Sequence, residues 1–297
     1  MDGFALLKHR HFSLLALAAL LIAVHISLVM RAGNLESFNL GLIIWVAVIS
    51  QLRDRPEPLQ VGGDRTSTII GTLLIVPVML KVTQLSSSGI FLNLLPFFCA
   101  LGFALIAVGR SQLSKYWKEL GMVAVLAIPG EKALSKLLEM ILMAVSQENL
   151  ATLTARFATT TLDLFGFQVS LQGTEIFLAN TVVHVDEGCS GARGMDFLLR
   201  LALVALLMFS AQRLQRIVIP LSAIVIAFFV NGIRASIMAY LANQGNNEAF
   251  DDWHIGDGSQ IFGIAAVLLF VGICYACLQM QQSSTMEAIE QATSKEM

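Results

Sequence analysis

Apolar runs of about 20 residues recur along this chain, and few architectures other than a membrane bundle can accept them. A run of that length crosses the hydrocarbon core of a bilayer as a helix. In lipid, every backbone N–H and C=O must find its partner inside the protein, which a helix does within one segment. The runs lie near 12–30, 36–52, 66–82, 89–109, 117–133, 194–210, 217–242 and 259–280, those at 36–52 and 117–133 being short and the weakest of the eight. Composition agrees: 56% of the 297 residues are hydrophobic and 13% charged, too few charges for a water-facing surface of this size. Mean hydropathy is +0.73. The expected fold is therefore all-α, a polytopic transmembrane bundle of about eight spans. A net charge of −2 argues against a nucleic-acid partner. The first run follows Lys8 and Arg10 as a signal peptide would, but it is long for one and more spans follow. It reads as an uncleaved first helix.

The runs divide the chain into N-terminal transmembrane helices (1–133), a connection (134–193), a C-terminal three-helix portion (194–280) and a tail (281–297). The connection opens with leucines, isoleucines and methionines at helical spacing among charges, over 134–157. That is the pattern of an amphipathic helix lying against membrane lipids, and a candidate lateral guide for a substrate helix. It closes with FQVSLQGTEIFLANTVVHVDEG, where β-branched residues around a glycine turn predict a short hairpin.

Basic residues collect on alternate loops, which sets orientation. Lys8 and Arg10 precede the first run, Arg53, Arg55 and Arg65 follow the second, and Arg110, Lys115 and Lys118 follow the fourth beside Tyr116 and Trp117. Arg213 and Arg216 lie between the sixth and seventh. The intervening loops hold Arg31, then Lys81, then no basic residue over 243–258. Both termini and the 281–297 tail are expected in the cytoplasm. The connection and the loop NQGNNEAFDDWHIGDG are expected on the outer side of the cell (inner or plasma) membrane.

Chemistry-bearing residues converge on that outer side. Cys189 sits between Gly188 and Ser190–Gly191, just ahead of the sixth run. A thiol attacks carbonyls as its thiolate, so it needs a base, a cation or a helix N-terminus beside it. If the helix starts at Ser190 or Gly191, Cys189 occupies its N-cap, where the dipole favours negative charge. The two glycines permit a sharp turn and close approach of a substrate backbone. Arg234 lies inside the seventh run, about eight residues, or roughly 12 Å, from its outer end. Asn231 is one turn earlier on the same face. An arginine in a span costs at least about 2.5 kcal/mol, so it is expected to face a polar site, where it can hold an oxyanion or substrate carbonyl. His254, just before the last run, can take the thiol proton and return it to a leaving amine. Asp186 and Glu187 oppose this scheme, because carboxylates raise a thiol's pKa.

GCSG before one membrane run, NGIR inside the next and HIGDG before the last resemble the exosortase/archaeosortase family of multi-pass membrane cysteine transpeptidase-like enzymes. The resemblance covers about residues 130–275. It implies a Cys–Arg–His site at Cys189, Arg234 and His254. It implies substrate proteins whose C-terminal sorting signal combines a short motif, a transmembrane helix and a basic end. Cleavage near the motif would pass the chain to a cell-surface acceptor, a lipid or polysaccharide. No cofactor is implied. Some relatives carry a further C-terminal domain; this chain ends soon after its last run, so that domain's function is expected to come from elsewhere. The acidic pair before Cys189 is not explained by the family pattern.

Other readings of the same residues stand beside these. Ser190 competes as nucleophile, but GCSG is not the Gly-x-Ser-x-Gly elbow of serine hydrolases. His184 and His25 compete with His254, and Arg193 with Arg234. Asp251, Asp252, His254 and Asp257 are potential metal ligands at spacings that match no zinc pattern, so no metal is expected. Cys99 and the CxxC of Cys274 and Cys277 lie in apolar runs and read as packing. Pro77 reads as a kink and Pro129 as a helix terminator. Two further function classes compete with a peptidase. A transporter would bind an anion at Arg234 but tolerate loss of Cys189, and no internal repeat supports it. A non-catalytic factor in envelope-polysaccharide assembly would need none of the three.

Overall fold

The computed structural model describes residues 2–55, 62–82, 90–129, 132–209, 211–256 and 258–296, with backbone alone for 2–11, 82, 145–146 and 281–296. The chain divides into two units, residues 1–130 with 203–210, and residues 131–202 with 211–297.

The first unit contains α1 (Asp2–Arg31), α2 (Leu35–Arg53), α3 (Arg65–Val82), α4 (Ile90–Val108), a 3-10 turn (Leu113–Tyr116) and α5 (Trp117–Leu126). Asn34 caps α2 by accepting from the Ser37 N–H at 2.9 Å. Two of the basic loops are tied together: Arg55 Nη2 donates to both oxygens of Glu119, at 2.7 and 2.8 Å, and its guanidinium lies 4.2 Å from the Tyr116 ring centre. Glu119 is buried, and this bidentate pairing is what makes its burial tolerable. His25 is buried in α1 and accepts from Trp45 Nε1 at 3.0 Å.

The second unit contains α6 (Ala133–Ser146), α7 (Leu150–Leu164), strands β1 (Val169–Gln172), β2 (Glu175–Leu178) and β3 (Val182–His184), α8 (Ala192–Met208), α9 (Gln215–Asn243), α10 (Asn247–His254) and α11 (Gly258–Glu296). The last residues of α8, from Leu203, belong to the first unit. Here the expected single amphipathic segment over 134–157 is corrected to two helices. Gln147 takes a left-handed φ of 58°, and Asn149 starts α7 afresh by accepting from Thr152 N–H at 2.8 Å. α7 and α9 pack through small side chains, Ala151, Ala155 and Ala158 with Ala235 and Ala239, closed by Leu162, Ile176 and Val185. Close approach through small residues is the usual means of joining helices where lipid offers no hydrophobic contrast. α6 keeps Leu137, Met140 and Ile141 exposed. The expected hairpin forms, with Val169 opposite Leu178, and a third antiparallel strand pairs His184 with Glu175.

The chain is an all-α membrane bundle. Among the described residues five helices are long and apolar enough to cross a bilayer: Phe12–Arg31, Leu35–Arg53, Ile90–Val108, Gln215–Asn243 and Gly258–Met280. The runs at 66–82, 117–133 and 194–210 form helices of 18, 10 and 17 residues that are not among these five. α5 stops at Leu126 because Ile128 precedes Pro129 and is steered out of helical conformation. α8 carries a buried pair instead, Arg200 Nε donating to Asp196 Oδ2 at 2.5 Å. Asp196 Oδ1 also accepts from the Leu134 N–H at 2.7 Å, capping α6 from another helix. Cys99, Cys274 and Cys277 are buried in α4 and α11.

Candidate active site

All of the site lies in the second unit. The turn that carries Cys189 is held from three sides. From its own chain, Asp186 Oδ1 accepts the Cys189 N–H at 2.8 Å and Ser190 Oγ donates to the Glu187 carbonyl at 2.8 Å. From α9, Asn231 Nδ2 donates to the Cys189 carbonyl at 2.8 Å. From α7, Thr154 Oγ1 donates to the Ser190 carbonyl at 3.0 Å. Gly191 has φ +86°, and a Cβ there would stand 2.8 Å from Asn231 Nδ2. Glycine is required on both counts. That left-handed residue also delays the helix. α8 begins at Ala192, so Cys189 is three residues ahead of it rather than at its N-cap as the sequence suggested. The space beside Gly191 is filled by Asn231, not left to a substrate.

The expected loop before the last span contains a short helix, α10. Asn246 caps it by accepting from Ala249 N–H at 3.1 Å, and His254 is its final residue. This end of the helix puts His254 Nε2 3.4 Å from Cys189 Sγ. Arg234 reaches the same end: its Nε donates to the Trp253 carbonyl at 3.1 Å and its Nη2 to the His254 carbonyl at 2.5 Å. Those carbonyls close α10, where the dipole concentrates negative charge, so a guanidinium suits them. Arg234 therefore fixes the backbone that aims the imidazole. Its charge also acts on the thiol.

The thiol is half-buried against the alanine core. Burial first, and the Asp186 carboxylate second, push it up to about 11, with Arg234 acting in the opposite direction. Asp186 itself is held below the usual carboxylate range, chiefly by the Cys189 N–H it accepts. Glu187 turns to Lys132, 3.1 Å away. Of the acidic pair, one residue engages the nucleophile and the other does not.

The competing residues are placed differently. Ser190 is buried, its hydroxyl engaged with the Glu187 carbonyl. His184 sits on β3 with Nδ1 3.4 Å from Thr174 Oγ1. Arg193 is exposed at the start of α8. Asp257 lies outside the described residues, and among these no three His, Cys, Asp or Glu side chains group closely enough to hold a metal ion. Gly188 flanks the turn, where a Cβ would stand 3.1 Å from Asp186 Oδ1. Sequence reasoning missed Thr154, Asp196 and Arg200. A threonine in an alanine-rich helix carries no signal of the carbonyl it will meet. Asp196 and Arg200, spaced i to i+4 in an apolar run, did carry one.

Beside the turn is a cavity of about 430 Å³ whose walls include Lys136 and Glu139 of α6, Thr174, His184, Asp186 and Ser190. Cys189 and His254 are not among its walls. In chemical terms, a thiol in contact with an imidazole can attack a carbonyl, and the imidazole can protonate the leaving group. Neither the curated proteins nor the solved structures contain a match to the chain. The model of the transmembrane exosortases matches residues 30–271, reaching well before the motifs, and the chain belongs to that family.

Proposed function

We propose that this membrane protein is a cysteine peptidase or transpeptidase that cleaves the C-terminal sorting signal of surface-destined proteins. The observation that carries the reading is the 3.4 Å contact between Cys189 Sγ and His254 Nε2. Sγ attacks the carbonyl carbon of the scissile peptide as the thiol proton passes to His254. Collapse of the tetrahedral intermediate breaks the C–N bond, and His254 returns the proton to the departing amine. A thioester on Cys189 remains. Water, or an acceptor hydroxyl or amine on a lipid or polysaccharide, gives its proton to His254 and attacks that thioester. Sulfur departs and recovers the proton. Arg234 positions His254 through its carbonyl, and its charge favours the negative charge that develops on sulfur and on the carbonyl oxygen. Asn231, Gly188, Ser190 and Gly191 shape the turn. The distribution of basic loops supports an active site on the outer side of the cell membrane.

The test is processing, in cells lacking related enzymes, of a tagged protein with an apolar C-terminal helix and basic end. Cys189→Ala is expected to stop processing at unchanged membrane level of the enzyme. Processing that continues removes the thiol mechanism. A transporter would tolerate Cys189→Ala but lose function on loss of Arg234. An assembly factor would tolerate substitution of Cys189, Arg234 and His254 alike.

A further inference from the structure

We propose that Asp186 is a positioning residue that keeps Cys189 a neutral thiol on His254 at rest, so that the proton leaves only as sulfur attacks. The proposal deepens the catalytic reading of Cys189 and His254 and rests on it.

The geometry begins with the turn. Asp186 accepts the Cys189 N–H three residues on, a side-chain-to-backbone link that folds the carboxylate back over its own loop. A Cβ on Gly188 would stand 3.1 Å from Asp186 Oδ1, so glycine supplies the room this fold-back needs. Folded back, the carboxylate sits 2.8 Å from the backbone nitrogen of the residue that bears the thiol, and there its charge acts on the thiol and the charge of His254 acts on it. The charged neighbours come from every element around the sulfur. Asp186 lies on its own turn, His254 on α10 and Arg234 on α9, while Arg193 of α8 acts on Arg234 and Glu187 is turned to Lys132.

An anion against the thiol makes a standing thiolate costly, and burial acts the same way. The resting nucleophile is then uncharged, which also shields it from oxidation and adventitious alkylation. Once the proton moves to His254, the same carboxylate faces a cation. It then stabilises the imidazolium whose proton the leaving amine requires. The acid ahead of the cysteine thus selects proton transfer in step with attack over a preformed ion pair.

Iodoacetamide labelling of the full chain in detergent tests this, with the Cys189 peptide quantified by mass spectrometry over about pH 7–10. Asp186→Asn keeps an acceptor for the Cys189 N–H and removes only the charge. Labelling of Cys189 in that variant is expected to be about tenfold faster over pH 7–9, the equivalent of a drop of one pH unit in the midpoint, with the gap narrowing toward pH 10. Processing of the tail is expected to fall. Equal labelling rates in the two proteins overturn the proposal. Should Asp186→Asn not fold, Asp186→Ser also removes the charge, and its labelling rate decides by the same criterion. Labelling needs no substrate. A chain that cleaves no tail yet gives the tenfold change therefore upholds this effect of Asp186 and removes the catalytic reading.

Discussion

Arg55, just past the end of α2, and Arg234, inside α9, both present guanidinium groups beside apolar helices, and they use them differently. Arg55 gives its donors to a buried carboxylate, so charge meets charge and nothing is left over. Arg234 gives its donors to two backbone carbonyls, and among the described residues it has no carboxylate partner. Those carbonyls are dipoles and do not cancel a full charge. The positive potential of Arg234 remains in the site and acts on the sulfur. A paired arginine holds structure together. One anchored on carbonyls holds structure and still supplies a field.

Arg234→Lys sharpens that contrast most. An ammonium keeps the charge but cannot span two carbonyls in the planar fork of a guanidinium, so His254 loses its aim. Tail processing is expected to fall by about 100-fold or more, as small misplacements of a catalytic group do, with the membrane level of the protein unchanged. Next comes Arg55→Ala, which leaves Glu119 buried without its partner. It is expected to cost about 3–5 kcal/mol, read as thermal stability in detergent, with processing per folded molecule unaltered. The double variant Arg55→Met with Glu119→Leu is expected to recover most of that loss. If Arg234→Lys instead lowered stability as Arg55→Ala does and left processing per folded molecule intact, the two arginines would be the same kind of residue. The smallest effect is Thr154→Val, which removes one hydrogen bond to the active-site turn. It is expected to cost about 1 kcal/mol and to change processing by no more than a few-fold.

Much of this was legible from residue order. The apolar runs announced helices; of the two read as weakest, 36–52 forms a 19-residue helix long enough to span and 117–133 one of only 10, while 66–82 and 194–210 also fall outside the five. Pro129 correctly marked an ending. The amphipathic pattern over 134–157 misled, because a helical period survives a one-residue break such as Gln147. The third strand was hidden in VVH, too short to stand out. At the site, Cys189, Arg234 and His254 could be named as candidates, since a polar residue in or beside a membrane run is conspicuous. What each one touches could not be named.

Hydropathy by itself determined the all-α membrane class and the order of the motifs, because lipid demands that each segment satisfy its own backbone, a local requirement. Tertiary structure alone decided that His254 rather than His184 meets the thiol, that Asp186 folds over its own turn while Glu187 leaves it, and that Arg234 anchors on carbonyls. Hydrogen bonds are short and directional, so these choices depend on where α7, α9 and α10 come to rest. That placement is set by how closely Ala155 and Ala158 let α7 approach Ala235 and Ala239, a distance no single segment encodes.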